Sequence, residues 1–315
     1  MGETLQYNSE NDGTPIHVPV LCSEFVKLAK IQPGQVWMDG TAGAGGHTRL
    51  IAERVESHGR VISLDRDPEA VKRLQGKVPN HVHVVCESYH RAEESLGQLE
   101  VESLDGILLD LGLSSDQLED RQRGFSFQTE GELDMRFNQQ EGQPVWQWLQ
   151  YVGEKELADT IYQFGEERFS RRIAKRIVEA RRREPIKTAD QLRKLIYEAM
   201  PGARRATSGN RKHGRVDPAT RTFQALRIAI NDELQILQHA LEVFSSILKP
   251  GGRMLVMSFH SLEDRIVKYA FRENSCWEII TKKPVQATME EIARNPRSRS
   301  AKLRVACKIA SLDSP

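Results

Sequence analysis

A glycine-rich turn and a following aspartate are the residues of this chain best suited to chemistry. The turn, DGTAGAGGH, occupies residues 39–47 and follows an apolar run at 36–38. A second apolar run ends at Asp65, 20 residues after Gly45. In an open parallel sheet, ligands bind beyond the carboxyl ends of the strands. Glycines let the backbone approach a ligand closely, and an aspartate there accepts hydrogen bonds from ribose hydroxyls, so we predict a nucleoside site.

The type of nucleoside follows from what this turn lacks. A dinucleotide fingerprint, G-x-G-x-x-G, would require a third glycine where the chain has Thr48. Asp39 beside the turn would repel a phosphate and would suit a cation, and S-adenosylmethionine carries an ammonium and a sulfonium group. The phosphate-binding sequence G-x-x-x-x-G-K-[ST] does not occur. We therefore predict S-adenosylmethionine as the cofactor, with a nicotinamide oxidoreductase as the main alternative.

A second group of polar residues follows the apolar run at 107–109. Asp110 ends that run, and Ser114 and Ser115 come shortly after a Leu-Gly turn. Asp110 could serve only as a helix cap. Alternatively, it could accept hydrogen bonds from the amino group of a base and localise the lone pair for attack on a methyl group. A carbon methyltransferase would need a thiolate here, and none of the four cysteines lies in this loop.

Three further groups are candidates for substrate contacts. His260 follows a predicted strand at 253–259 and would either orient a base or cap the next helix. Residues after the Asp110 loop could stack on bases and hold phosphates, unless the phenylalanines belong to the core; they are Arg121, Arg123, Phe125 and Phe127. A second basic patch could grip an RNA backbone; it consists of Arg294, Arg297, Arg299, Lys302 and Arg304.

The composition of the 315-residue chain is that of an ordinary soluble enzyme, with 39% hydrophobic and 28% charged residues. Its four cysteines lie far apart without a C-x-x-C pair, so we expect neither a metal site nor a disulfide framework. This pattern favours a reducing compartment, and we predict a cytoplasmic protein. No stretch approaches the roughly 20 apolar residues of a membrane span. The polar residues 1–15 are expected to be disordered.

The net charge of +1 conceals a strongly basic segment. Residues 166–215 contain 16 Lys or Arg against 6 Asp or Glu, a net of +10, which leaves −9 for the rest of the chain. Such segregation is typical of proteins that bind nucleic acid. A solvated helical face with paired charges is the alternative, but the acidic residues are too few to pair the basic ones.

Strand-like and helix-like segments alternate from residue 33 to residue 110, which indicates a parallel sheet with helices on both faces. The predicted strands are 36–39, 60–65, 82–86 and 105–110, and the predicted helices are 46–56, 67–77 and 90–97. Helical apolar spacing replaces this alternation at 145–200. Strand–helix order then returns with a helix at 222–248, a strand at 253–259, a helix at 262–273 and an antiparallel hairpin of 277–281 with 303–309.

We therefore predict an α/β fold, a Rossmann-like class I methyltransferase sheet with an inserted all-α substrate domain. The sheet domain would be discontinuous, formed by residues 16–130 and 218–315. Residues 131–217 would form the basic helical insert that recognises RNA, with a mobile loop at 201–215. Because the insert follows the strand that ends at Asp110, it would lie over the ligand and deliver a second substrate.

Long stretches of the chain also resemble one family. The most distinctive are DGILLDLGLSSDQL (105–118), RGFSF (123–127), LDMR (133–136) and SFHSLEDRIVK (258–268). They are similar to the bacterial small-subunit (16S) ribosomal RNA cytosine 4-amino methyltransferase family, and the similarity runs in order from His17 to Lys308. An RNA-binding protein without catalytic activity is a third interpretation, against which the intact run of donor-site residues argues.

The resemblance implies a reaction, a partner and a set of contacts. The reaction is methyl transfer from S-adenosylmethionine to the exocyclic N4 amine of a cytidine near the decoding centre of 16S ribosomal RNA in the small ribosomal subunit; a homodimer is left open. The implied cofactor contacts are Gly45, Gly46, His47, Asp65, Tyr89, Asp110 and Gln117. The catalytic candidates are Asp110, Ser114, Ser115 and His260. Asp116 stands where the family usually has proline.

Overall fold

The structure is a computed structural model. It describes residues 19–120, 122–126, 131–201 and 217–310. The predicted disordered segment at 1–15 lies outside these residues, and so does almost all of the predicted loop at 201–215. Among the described helices, none combines the length and the apolar character that crossing a membrane requires.

The described residues contain one eight-stranded mixed sheet. Its strands are β1 (Val36–Asp39), β2 (Arg60–Asp65), β3 (Val82–Cys86), β4 (Leu104–Asp110), β5 (Leu248–Ser258), β6 (Trp277–Ile279), β7 (Val285–Gln286) and β8 (Lys302–Lys308). The order is β3-β2-β1-β4-β5-β8-β6, and β7 also pairs with β8. Strands β1 to β5 are parallel, whereas β8 is antiparallel to β5 and β6. The predicted Rossmann-like sheet and its antiparallel closing strands are confirmed.

The helices follow the strands in the order that a doubly wound sheet requires. They are α1 (Cys22–Ala29), α2 (Gly46–Val55), α3 (Pro68–Leu74), α4 (Ala92–Gln98), α5 (Ser115–Glu119), α6 (Val145–Tyr151), α7 (Glu154–Gly165), α8 (Ser170–Arg181), α9 (Ala189–Ala199), α10 (Pro218–Asn231), α11 (Glu233–Ile247), α12 (Ser261–Glu273) and α13 (Met289–Arg294). Short 3-10 turns cover Tyr89–Arg91 and Pro296–Ser300. Asp67 caps α3, because its side chain accepts a hydrogen bond from the backbone of Glu69 and Pro68 occupies the first turn.

The single helix predicted at 222–248 is wrong, because the chain forms two helices there. Asp232 has a left-handed backbone with φ of 51°, which ends α10 and begins α11. The amide of the preceding Asn231 donates to the carbonyl oxygen of Met135 at 2.7 Å and accepts from the backbone N–H of Phe137 at 2.8 Å. The break therefore ties α10 to the loop at 135–137 through two hydrogen bonds that helical periodicity does not reveal.

Apolar side chains cover both faces of the sheet. Leu108 belongs to the cluster with α1 and α2, whereas its neighbours Ile107 and Leu109 belong to the cluster with α4, α11 and α12. This alternation is expected, because successive side chains of a strand point to opposite faces. Strand β4 is therefore central and buried on both sides, and Asp110 at its end is held by a rigid element.

Helices α6 to α10 surround a third apolar cluster of their own. Most residues of the helical stripes predicted to be core are fully buried in it, whereas Phe164 and Leu195 of the same stripes are half-buried; the buried ones are Leu157, Ile161, Ile173, Ile177, Leu192 and Ile196. The cluster also contains Phe125 and Phe223, which lie outside the predicted insert of 131–217. The division of the chain into domains stays a prediction.

Candidate active site

A cavity lies at the carboxyl ends of β1, β2 and β4, where an open α/β sheet binds its ligands. Five of the predicted site residues line it: Asp65, Tyr89, Asp110, Ser114 and Gln117. They come from four separate segments of the chain, which the parallel strand order brings to one sheet edge. The predicted donor acid and the predicted catalytic acid therefore share one cavity.

Asp65 ends β2 with both carboxylate oxygens held by backbone groups. Oδ2 accepts from the N–H of Gly43 at 2.7 Å, and Oδ1 accepts from the N–H of Asp67 at 2.8 Å. Burial raises the pKa of Asp65 to about 6, although these two hydrogen bonds oppose the rise. These two hydrogen bonds fix the orientation of the carboxylate. A fixed orientation suits the predicted role of accepting hydrogen bonds from ribose hydroxyls.

The first half of the glycine turn lines the cavity, whereas the predicted cofactor contacts lie in its second half. Gly40, Thr41 and Gly43 line the cavity, whereas Gly45, Gly46 and His47 are not among its lining residues. A Cβ on Gly45 would lie 2.2 Å from Leu74 Cδ2, and one on Gly46 would lie 2.2 Å from Pro19 Cγ. These two glycines let α2 pack closely against its neighbours, and their role as cofactor contacts stays a prediction.

Sequence reasoning missed several lining residues. Gly40 and Thr41 come directly after β1, and Ser88 follows β3. Their position beyond strand ends was a signal that could have identified them. Glu233 and Phe137 also line the cavity, but no sequence signal pointed to them, because the break at Asp232 and the loop at 135–137 bring them there.

The buried His47 pairs with the half-buried Asp110 at the edge of the cavity. His47 Nδ1 lies 3.4 Å from Asp110 Oδ2, and its side chain is 6% exposed. Asp39 lies beneath them, fully buried, with Oδ2 accepting from Thr48 Oγ1 at 2.7 Å. Burial raises the pKa of Asp39. The turn therefore contributes a buried carboxylate and a buried imidazole next to Asp110, which lines the cavity.

The other oxygen of Asp110 has no partner. Oδ1 is buried and makes no hydrogen bond with any described residue. The backbone N–H of Asp110 donates to Thr41 Oγ1 at 2.6 Å, which fixes the residue at the strand end. A buried acceptor without a donor is costly, and such groups in native proteins call for an explanation. Because Oδ1 is closed to solvent in this structure, a donor from a bound molecule would reach it only if the neighbouring groups shift.

Ser114 and Gln117 form a capping box at the start of α5. Ser114 Oγ accepts from the N–H of Gln117 at 3.2 Å, and Gln117 Oε1 accepts from the N–H of Ser114 at 3.1 Å. Gln117 Nε2 also donates to Asp67 Oδ2 at 3.2 Å. The hydroxyl of Ser114 therefore has a structural role, although the residue lines the cavity. Ser115 is the first residue of α5, and its catalytic role stays a prediction.

Arg123 is placed differently from the prediction that it holds RNA. Its Nη1 lies 2.7 Å from Asp67 Oδ2, and the two side chains are 5% and 1% exposed. Its Nη2 donates to the carbonyl oxygens of Arg136 and Phe137 at 2.9 and 2.7 Å. The prediction is wrong for Arg123, because a guanidinium that is buried against a carboxylate cannot reach a phosphate.

The aromatic residues near Arg123 follow the core alternative where they are described. Phe125 is buried and stacks on Phe137 with a centroid distance of 5.5 Å. Arg121 and Phe127 lie outside the described residues. The described members of this predicted cluster, Arg123 and Phe125, therefore connect the start of α3 to the loop at 135–137.

His260 caps α12, one of its two predicted alternatives. Its Nδ1 accepts from the N–H of Glu263 at 3.4 Å, so the ring proton lies on Nε2. Nε2 is 3.0 Å from Glu263 Oε1, although the contact is not a well-formed hydrogen bond. Glu263 lines the cavity and His260 is not among its lining residues, so an orienting role for His260 would act through Glu263.

One described group has the composition of a metal site, which the sequence did not predict. Ligand atoms of Glu233, His260 and Glu263 lie within 4.8 Å of one another. However, the His260 atom that faces the carboxylates carries the proton, and both oxygens of Glu233 accept from Arg227 at 2.8 Å. These donors already occupy the group, and a cation would have to displace them.

The second basic patch is partly neutralised. Arg304 is buried and pairs with Asp264 Oδ1 at 2.7 Å, and Lys302 lies 3.3 Å from Oδ2 of the same aspartate. The prediction that these two residues contact RNA is wrong for Arg304, because its guanidinium is buried and paired with Asp264 of α12. Arg294 pairs with Glu290 on the exposed face of α13, where its charge is available to a ligand.

Comparison with known proteins agrees with this geometry. A family model described as the MraW methylase family matches residues 14–309. The chain is 49% identical over 306 residues to ribosomal RNA small subunit methyltransferase H of Rhodopirellula baltica, with coverage of 93% of this chain and 91% of that protein. Proteins with the same name from Nitrosospira multiformis and Deinococcus radiodurans are 43% and 44% identical, over 93% and 98% of this chain and 97% and 96% of theirs. The chain belongs to the MraW methylase family.

Proposed function

We propose that this methyltransferase transfers a methyl group from S-adenosylmethionine to the exocyclic N4 amine of a cytidine in 16S ribosomal RNA. Its relatives are named for methylation of the small-subunit RNA, and the cytidine amine near the decoding centre is the target that the resemblance implies. The observation that carries the proposal is the shared cavity of Asp65 and Asp110, in which Asp110 Oδ1 is buried without a partner.

The charge of the cavity suits this cofactor. Four carboxylates line it, from Asp65, Asp110, Glu233 and Glu263, against the single guanidinium of Arg66. A site with this excess of acids favours a cation over a nucleotide phosphate. Asp65 would hold the ribose, and Tyr89 beside it would pack on the adenine. When bound, S-adenosylmethionine supplies an electrophilic methyl group on a positively charged sulfur.

The residues of the chain would activate the amine without a covalent intermediate. The lone pair of a cytosine amine is delocalised into the ring, so the amine is a poor nucleophile. Asp110 Oδ1 would accept one N–H hydrogen bond and localise that lone pair. As the N–C bond forms and the S–C bond breaks, positive charge develops on N4, and the N4 proton passes to the same oxygen.

Among the described residues, helix α8 offers the surface that best suits RNA. Five basic residues are exposed in and directly after it: Arg171, Arg172, Lys175, Arg182 and Arg183. The opposite face of the helix is buried in the third apolar cluster through Ile173 and Ile177. This one-sided charge would track phosphates while the target base leaves its stack to enter the cavity. The 131–217 segment would thus recognise RNA, and a ribosomal RNA substrate would place the protein in the cytoplasm.

The test is nucleoside mass spectrometry on small-subunit RNA. Small subunits from a strain that lacks this protein are incubated with the enzyme and isotope-labelled S-adenosylmethionine. We expect label in N4-methylcytidine, and we expect Asp110→Asn to reduce its rate on the order of a hundredfold. Label found in a ring-carbon-methylated pyrimidine, or no label in either protein-free RNA or assembled subunits, would refute the proposal.

A further inference from the structure

Both ring nitrogens of His47 face acceptor groups. Nε2 lies 3.1 Å from the carbonyl oxygen of Val20, and Nδ1 lies 3.4 Å from Asp110 Oδ2. The ring is buried and packs edge-on against Phe25, with 5.3 Å between the centroids. His47 therefore contacts β4, the segment before α1 and α1 itself. It faces Oδ2 of Asp110, whereas Oδ1 is the oxygen without a partner.

The two acceptors restrict the protonation state of the ring. A carbonyl oxygen can only accept, so Nε2 must carry a proton. A neutral imidazole has a single N–H, which would leave the Nδ1 lone pair facing an ionised carboxylate. Two arrangements avoid this repulsion: an imidazolium against a carboxylate, or a neutral ring against a protonated Asp110.

We propose that His47 is a buried imidazolium that positions the Asp110 carboxylate, binding Oδ2 so that Oδ1 is left for the substrate amine. The His47 side chain would then act as a positioning group of the methyl transfer. This inference rests on the proposed function, because it assigns the acceptor role to Asp110.

The charges around His47 favour the imidazolium over the neutral pair. The charged groups that act on it from the elements packed around it are Asp110 at the end of β4 and Asp39 at the end of β1. Val20 and Phe25, which cover the rest of the ring, are uncharged. Burial opposes protonation, but the two carboxylates outweigh it and raise the pKa of His47 above its usual value.

This arrangement gives the reaction a defined proton path. Asp110 must be an acceptor when the amine binds, and an imidazolium on Oδ2 would hold the carboxylate in place while its other oxygen accepts from the amine. The N4 proton released during transfer moves to Oδ1, and His47 keeps both of its own protons. Because the folded-state pKa of His47 is raised, this support is fully present below the usual pKa of histidine and is lost as pH rises through the raised value.

The protonation state can be measured without turnover. In two-bond ¹H–¹⁵N spectra of the full chain, we expect both ring nitrogens of His47 to give protonated-type shifts at neutral pH, with exposed His58 as an internal reference. His47→Gln identifies the signals. A ring protonated only on Nε2 at neutral pH would overturn the proposal, because the second proton would then lie on Asp110 or be absent from the pair.

The positioning role is tested by pH profiles of kcat. We expect His47→Gln to lower kcat on the order of tenfold to a hundredfold and to abolish the loss of kcat at high pH. Phe25→Leu is the matched control, because it loosens the packing of the same ring and keeps its charge, so the high-pH loss should persist. A His47→Gln enzyme with the wild-type profile would contradict the role.

The two proposals can fail separately. If the wild-type enzyme produces no N4-methylcytidine, the proposed function is wrong, whatever the spectra of His47 show. If N4-methylcytidine forms and Asp110→Asn is impaired but His47→Gln is not, the proposed function stands and the positioning role is wrong.

Discussion

The buried ion pair of Arg123 and Asp67 makes a strong quantitative prediction. The two charges are 2.7 Å apart, with 5% and 1% of their side chains exposed. We consider Arg123→Met, which preserves much of the volume and removes the charge. The substitution leaves the Asp67 carboxylate buried with only the N–H of Glu69 and the amide of Gln117 as donors, and it removes the donors for two backbone carbonyls.

The magnitude follows from these contacts. Breaking a buried ion pair by removing one partner costs about 3–5 kcal/mol, because the remaining charge is uncompensated. The two lost carbonyl hydrogen bonds are each worth about 1 kcal/mol, and burial of the methionine side chain offsets part of that loss. We therefore expect Arg123→Met to lower the free energy of unfolding by roughly 3–5 kcal/mol.

A double-mutant cycle measured by urea unfolding checks this reasoning. Asp67→Asn alone should also be strongly destabilising, whereas Asp67→Asn combined with Arg123→Met should cost less than the sum of the two by about 2 kcal/mol or more. Arg91→Met is the matched control, because Arg91 pairs with Glu94 on the exposed surface and should have little effect. Additive single effects would refute the coupling.

The same cycle has a functional readout. The N–H of Asp67 donates to Asp65, and Arg123 holds the carbonyl of Phe137, which lines the cavity. We therefore expect Arg123→Met to weaken binding of S-adenosylhomocysteine under conditions in which the protein is still folded. Unchanged affinity would show that the loop at 135–137 keeps its position without the ion pair.

Three more predictions concern single positions. Asp65 has a raised pKa of about 6, so donor affinity should fall about tenfold from pH 7 to pH 5 as the carboxylate is protonated, and calorimetry on Asp65→Asn should find weaker binding without that pH dependence. Gly106→Ala would place a Cβ 2.4 Å from the Trp37 ring and should lower the free energy of unfolding in urea by about 1–3 kcal/mol. The control is Gly97→Ala in α4, where the added Cβ meets nothing within 4 Å and should not destabilise the protein. Equal effects of the two substitutions would contradict the packing argument. Arg172→Gln on α8 should reduce the slope of log affinity for RNA against log salt by about 0.7, and the equally exposed Arg272 of α12 serves as the control.

The strands and the main acids could be predicted from the sequence because their signals are local. The apolar run before Asp65 and the one before Asp110 each specify a buried strand and the acid at its tip. Parallel pairing then requires both acids to lie at the same edge. Capping was one of the two predicted alternatives for His260, because a polar residue before an amphipathic run is a helix start signal, whereas Ser114 was predicted only as a catalytic candidate and proves to be the cap of α5.

The remaining features depend on contacts between distant parts of the chain. Arg123 next to two phenylalanines reads as an RNA contact, and nothing local indicates that Asp67, 56 residues earlier, will bury it. Asn231 and Asp232 interrupt a continuous helical pattern because the Asn231 side chain bonds to a loop 96 residues away. His47 likewise needs Val20 and Asp110 from two other segments before its partners are defined.

The position of β8 has a consequence for biosynthesis. This strand, residues 302–308, lies between β5 and β6, although both of those strands are translated before it. Until it emerges from the ribosome, β5 and β6 have open edges that can pair with other chains. We expect nascent chains that stop before residue 302 to be sensitive to proteases and to require chaperones, so that maturation of this enzyme awaits release of its later residues from the translation machinery.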